Sequence, residues 1–142
     1  GADYCINYSQ NEFKDKVKEY TNGQGANIIY DPVGGDVFNQ SLRCIAWNGI
    51  ILVIGFASGT IASAPTNLPL LKNCSIVGVF WGAWRERDPN GHNVNMEKIL
   101  TWWKEKKVKP KVSKVFNLED TKYALQALIN REVIGKAVIK VR

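Results

Sequence analysis

The chain contains one histidine, His92, and one methionine. Its three cysteines, Cys5, Cys44 and Cys74, stand singly inside apolar stretches, with no CxxC pair. Such a supply does not assemble a Cys/His zinc or iron centre, so no metal site is expected. The thiols are expected to be reduced and buried, as suits a protein inside the cell. No apolar run approaches the roughly 20 residues of a membrane-spanning helix. Neither does a basic start lead into an apolar segment, so nothing points to secretion. A cytoplasmic location is expected, with mitochondria as the alternative. Two catalytic signatures are also missing: the G-x-S-x-G elbow and any Ser-His-Asp arrangement. No G-x-G-x-x-G follows a strand; Gly23-Gln24-Gly25 has only its first spacing and stands before a strand, not before a helix.

What is present describes an ordinary globular chain. Its 142 residues are 45% apolar and 23% charged, close to the average for a folded domain with its own core. A single domain over residues 1–142 is expected. The net charge of +6 is uneven, with Lys104, Lys106, Lys107, Lys109, Lys111 and Lys114 crowding one segment. Such a run suits a solvated helix end, where cations are favoured. The alternative is an RNA- or anion-binding module at 104–114, although Val and Pro rather than aromatics interleave there.

Hydrophobic periodicity divides the chain into alternating elements. Tyr4 to Tyr8 reads as a short strand, and Ser9-Gln10-Asn11-Glu12 as a capping box opening a helix. Phe13, Val17 and Tyr20 then mark one helical face. Ile28-Ile29-Tyr30 is a strand closed by Asp31-Pro32. Phe38, Ser41, Leu42 and Ile45 repeat at helical spacing up to a stop at Asn48-Gly49. The unbroken apolar run Ile50 to Ile54 suits a parallel strand buried on both faces. A short helical turn at Leu68 to Lys72 precedes a strand at Cys74 to Gly82. Arg85 to His92 reads as a loop, followed by a helix from about Val94. A strand at Val112 to Phe116, a helix opening at Leu118-Glu119-Asp120, and a closing strand at Gly135 to Val141 complete the pattern.

Alternation of this kind predicts an α/β fold: a parallel, doubly wound sheet with helices on its faces. Ligands of such sheets bind beyond the carboxyl ends of the strands. That places Tyr8, Val33 to Gly35, Gly55 to Ala57, and Phe80 to Gly82 on one edge. Gly34-Gly35 sits between a strand and a helix, as a phosphate-binding turn does. Close backbone turning, with Asp36 near a helix start, accounts for it equally well. Asp31 suits either an acid–base role or a turn-initiating one. His92 has no evident catalytic partner, and no catalytic residue is assigned. Trp81, Trp84, Trp102 and Trp103 suit a core or an interface.

Several segments together carry a resemblance: INY at 6–8, DPVGGDVF at 31–38, NGIILVIGFASG at 48–59, LLKNCSIVGVFWG at 70–82 and the closing IGKAVIKV. They resemble the zinc-free medium-chain dehydrogenase/reductases, and among these the quinone oxidoreductases of the ζ-crystallin type. The resemblance implies a Rossmann-type sheet lacking its first two strands, the latter part of a longer polypeptide. A GroES-like catalytic domain and a glycine-rich pyrophosphate turn would precede Gly1. It further implies hydride transfer from NADPH to a quinone or enone. Tyr8 would approach the adenosine ribose and its 2′-phosphate. Val33, Gly34 and Gly35 would border the cofactor, with Val37 beside them. Ile54, Gly55, Phe56 and Ala57 would pack on the nicotinamide half, and Val79, Phe80 and Trp81 would hold its carboxamide through backbone groups. The strand 74–82 would pair with its twin in a homodimer; a dimerisation module without a ligand role is the alternative. Without the missing parts, the chain alone is expected to bind NADPH weakly and to show no turnover.

Overall fold

Phe13, Val17 and Tyr20 share a face of Phe13–Tyr20, the first helix, α1. The computed structural model describes all residues, Gly1–Arg142, and divides them into two units, Gly1–Ala83 and Trp84–Arg142. In the first unit α1 is followed by β1 (Ala26–Asp31), α2 (Gly35–Cys44), β2 (Ile45–Val53), α3 (Asn67–Lys72) and β3 (Ser75–Gly78). The three strands form one parallel sheet in the order β1-β2-β3. This confirms the α/β reading with parallel pairing.

The register brings the strand ends level. Asp31 lies opposite Val53, and Val53 opposite Gly78, so all three strands finish along one carboxyl edge. Beneath the sheet, Phe38 and Leu42 of α2 bury against Ile45 and Ile51, with Ile29, Leu68 and Cys74 packed around them. Phe38 and Leu42 are one helical turn apart, which puts both on the face that meets β2. Ile51 is fully buried; removing a side chain of that size from water contributes about 1.5–3 kcal/mol. Along β1, Ile28 and Tyr30 are exposed while Ile29 turns inward, the two-residue alternation of a strand.

Several expectations for this unit fail. Tyr4 to Tyr8 is not a strand, because no neighbouring strand pairs with it. The capping box does not form: Glu12 is the N-cap without a side-chain bond, and the Ser9 N–H donates instead to Asn7 Oδ1 at 3.1 Å. Helix α2 stops at Cys44 rather than running to Asn48. Asn48, with φ of 60°, turns the chain within β2.

Element α4 (Trp81–Arg87) crosses the division between the units. The expected strand to Gly82 therefore ends at Gly78, and Trp81 opens a helix. The second unit continues with α5 (Pro89–Lys104), β4 (Val112–Asn117), a 3-10 turn at Leu118–Asp120, α6 (Thr121–Ile129) and β5 (Lys136–Lys140). Arg85 to His92 is thus largely helical, not a loop. Asp88 caps α5 by accepting from the Gly91 N–H at 2.9 Å, with Pro89 at the first helical position. Strands β4 and β5 are parallel, and of the helix that joins them only Ala124 and Ala127 are buried.

Candidate functional site

The carboxyl edge of the first unit is built from two segments that leave neighbouring strands. From β1 the chain enters the turn Asp31 to Gly35. Asp31 is almost wholly buried, and its Oδ1 accepts from the backbone N–H of Val33 at 2.8 Å and of Gly34 at 2.9 Å. From β2 the chain enters the loop Ile54 to Thr60. The two segments are zipped together: Ile54 N–H donates to Asp31 O, Ala57 N–H to Pro32 O and Ser58 N–H to Val33 O, at 2.9, 3.0 and 3.0 Å.

Only glycine fits the contact between them. Gly34 adopts φ of 70° and ψ of −158° as the N-cap of α2. A Cβ there would lie 2.9 Å from the Phe56 ring and 3.1 Å from Thr60 O. A Cβ on Gly35 would lie 2.9 Å from Ser58 Oγ. The glycines thus admit the chain's own loop 56–60. Their close approach serves protein packing, and Asp31 already takes the N–H groups of Val33 and Gly34 that an anion would need.

Two apolar cavities flank this zipped edge. The first, about 280 Å³, has Tyr4, Tyr8, Phe13, Asp31, Val33 and Val37 among its walls. The second, about 490 Å³, is walled by Val53 to Phe56 and Gly78 to Phe80. Of the residues singled out in the sequence, Tyr8, Val33 and Val37 border the first cavity. Ile54, Gly55, Phe56, Val79 and Phe80 border the second. Gly34, Gly35, Ala57 and Trp81 line neither. Gly34, Gly35 and Ala57 instead form the seam between turn and loop.

Sequence reasoning missed Tyr4 and Phe13 in the first cavity and Gly78 in the second. Gly78 faces Val53 across the sheet, a register that only the structure supplies. Tyr4 carried no such signal; its ring stacks on Tyr20, with centroids 4.0 Å apart, a contact between segments distant in sequence. His92 lies in α5, in the second unit. No group of three or more His, Cys, Asp or Glu side chains is placed to hold a metal ion. No helix is long and apolar enough to cross a membrane.

The lysine-rich segment belongs to the second unit. Lys107 pairs with Glu105 at 2.7 Å and Lys114 with Glu132 at 2.6 Å, which offsets part of its charge. Trp102 and Trp103 are exposed just before it, and Lys98 sits 5.2 Å over the Trp102 ring.

Comparison with known proteins fits this geometry. A quinone oxidoreductase-like protein 2 homolog from Nematostella vectensis is 47% identical over 143 residues, covering 100% of this chain and 39% of the relative. The chain spans between 39% and 41% of the length of the curated relatives it matches over its whole extent at similar strength. Among solved structures, an NAD-dependent alcohol dehydrogenase is 28% identical with a TM-score of 0.84, covering 100% of this chain and 39% of that one. A mycobacterial protein solved in complex with NADPH has a TM-score of 0.84 at 23% identity, covering 99% of this chain and 44% of that one. At that identity the likeness is one of fold. The family model described as zinc-binding dehydrogenase matches residues 1–139, through both units. With that match, a parallel sheet and two cavities at its carboxyl edge, the chain belongs to the zinc-binding dehydrogenase family and is similar to its quinone oxidoreductase-like members.

Proposed function

We propose that this chain is the cofactor-side part of an NADPH-dependent quinone oxidoreductase, all of it serving one nucleotide-binding domain. The observation that carries the reading is the pair of apolar cavities on either side of the zipped carboxyl edge. Ligands of open parallel sheets lie in this place, and pockets of this size and apolar lining suit small ligands and cofactors.

The residues present fit the two ends of a dinucleotide better than its middle. Tyr8, Val33 and Val37 offer an aromatic and aliphatic wall for the adenosine end. Ile54, Gly55, Phe56, Val79 and Phe80 offer an apolar wall for the nicotinamide end, which would exclude water from one face of the ring. The helix start at Gly34-Gly35 is filled by Phe56 and Ser58, so the pyrophosphate would be held elsewhere in the whole protein. When bound, NADPH supplies the hydride that reduces a quinone or enone. Positioning of cofactor against substrate sets the rate of such a transfer. The chain contributes one wall of that arrangement, and by itself it is proposed to be inactive and to bind NADPH weakly.

A companion proposal concerns assembly. Strand β3 is exposed along its whole length, and Ile76, Val77, Val79 and Phe80 present apolar surface there. An uncovered apolar edge strand favours pairing with another strand. We propose a homodimer through residues 74–82 in the cytoplasm or mitochondria.

NADPH titration followed by backbone amide chemical shifts tests the reading. The expected result is weak binding, with shifts at Tyr8, Val33 to Gly35, Ile54 to Ala57 and Val79 to Trp81. Shifts confined to Lys104–Lys114 would replace it with the anion-binding alternative, which the exposed Trp102 and Trp103 favour. Micromolar affinity or turnover would show that the chain suffices alone.

A further inference from the structure

Two peptide planes carry the contact between turn and loop, and one carboxylate oxygen grips both. The first plane joins the Pro32 carbonyl to the Val33 N–H. The second joins the Val33 carbonyl to the Gly34 N–H. No peptide bond in the chain is cis, so in each plane the N–H and the C=O point in opposite directions. Both N–H groups point to Asp31 Oδ1, at 2.8 and 2.9 Å. Both carbonyls point the other way, to Ala57 N–H and Ser58 N–H, each at 3.0 Å. Rotating either plane breaks a bond on each side.

We infer that Asp31 is a positioning residue: by orienting these two planes, its buried carboxylate sets where the loop 54–58 sits, and so fixes the two cavities relative to each other. Asp31 and Val33 wall the first cavity. Phe56, carried on the loop between Ile54 and Ala57, walls the second. The Phe56 ring also rests against Gly34, so a displaced turn displaces the ring. The Asp31 carboxylate bonds to the N–H groups of its own turn and lies outside the second cavity; it acts on Phe56 through the backbone. A carboxylate that accepts charge-assisted bonds holds such planes more firmly than a neutral acceptor. Its burial and its two bonds at Oδ1 give Asp31 the turn-holding role that an Asp before Pro also suggested.

The inference rests on the proposed function only for what the cavities bind; the coupling itself belongs to the backbone. Amide hydrogen exchange on the 142-residue chain tests it directly, comparing wild type with Asp31→Ala, Asp31→Ser and Asp31→Asn. In Asp31→Ala, exchange at Ala57 and Ser58 is expected to accelerate by about tenfold or more, the consequence of losing bonds to a charged acceptor. Ile51 and Leu52, deeper in the sheet, keep their protection. Asp31→Asn keeps an acceptor oxygen and is expected to restore most of the protection at Ala57 and Ser58. If Asp31→Ala does not fold, Asp31→Ser decides: its shorter hydroxyl cannot span both N–H groups, so Ala57 and Ser58 should still exchange faster than in wild type. Acceleration confined to Val33 and Gly34, with Ala57 and Ser58 unchanged, overturns the inference. Adding NADPH separates it from the functional reading. Faster exchange at Ala57 in the variants, with no NADPH shifts even in wild type, sustains the positioning role and sinks the nucleotide one.

Discussion

The Lys72 ammonium donates to the carbonyl of Ile45 at 3.0 Å, across 27 residues of sequence, and to the Arg43 carbonyl at 2.9 Å. It therefore caps the carboxyl end of α2, where helix carbonyls lack partners and carry partial negative charge. One side chain from the end of α3 thus pins the junction of α2 and β2. Burial lowers the Lys72 pKa from its usual value, with Lys18 adding a smaller push in the same direction. The cation is held there by the carbonyls despite that cost.

Lys72→Met keeps the aliphatic stem and removes both bonds. A loss of about 1–2 kcal/mol is expected, the scale of bonds made by a charged donor with part of the desolvation cost relieved. Urea denaturation checks it: the midpoint should fall while the slope stays constant. An unchanged midpoint would show the cap to be energetically idle.

Gly34 and Gly59 both have positive φ, but their surroundings differ. A Cβ on Gly59, at φ of 79°, would meet nothing within 4 Å, whereas one on Gly34 would meet Phe56 and Thr60. Gly59→Ala should cost about 1 kcal/mol from backbone strain alone. Gly34→Ala should cost more, about 2–4 kcal/mol, since its φ/ψ region is open essentially only to glycine and Phe56 must also move. Thermal unfolding of the pair ranks them, and equal losses would contradict the packed seam.

Thiol chemistry should separate the cysteines. Cys5 is exposed, Cys74 partly covered and Cys44 buried. Burial also pushes the Cys44 pKa above its usual value, against weaker opposing effects of Lys72 and Lys18. The thiolate is the reactive form, so an aromatic disulfide reagent at neutral pH should label Cys5 first and Cys44 only on unfolding. Rapid labelling of Cys44 in the folded chain would contradict its placement.

Acid should loosen the second unit through Glu132. Hydrogen bonds from Lys114 and then Asn130 hold its carboxyl below the usual value of 4.5. A carboxyl lowered on folding adds stability above its unfolded value and loses it as pH falls through the folded value. The loss is therefore expected below pH 4.5. Lys114→Met should flatten the stability profile in that acid range and leave it nearly unchanged in slope near neutrality. Because the pair is exposed, the effect should be small and weaken with added salt.

The sequence showed the α/β class because apolar periodicity is a local property. The stripe in α1 and the run at Ile50 to Val53 each declare their element within a few residues. The helical start at Asp88-Pro89 was also present in the sequence: an N-cap aspartate followed by proline at the first position is a known signal. The polar, Pro- and Gly-bearing character of 85–92 suits a loop just as well, and only the Gly91 N–H bond to Asp88 distinguishes the two.

The candidate edge was legible in outline, because strand ends can be located from sequence and parallel sheets bind ligands there. The role of its residues was not. Gly34 and Gly35 look alike whether they admit a phosphate or a neighbouring loop, and only the positions of Phe56 and Ser58 distinguish the two. Tyr4 to Tyr8 has strand composition, yet a strand is defined by pairing, and no neighbour pairs with it.

The sequence by itself determined which segments are apolar, where the elements lie along most of the chain, and the resemblance to its family. Those follow from side-chain chemistry at fixed spacing. The tertiary structure alone decided that Asp31 serves a backbone seam, that Lys72 reaches a carbonyl 27 residues away at the end of a helix and that two cavities flank one edge. Each depends on groups brought together across the sheet, where direction and distance, not spacing along the chain, determine what a residue does.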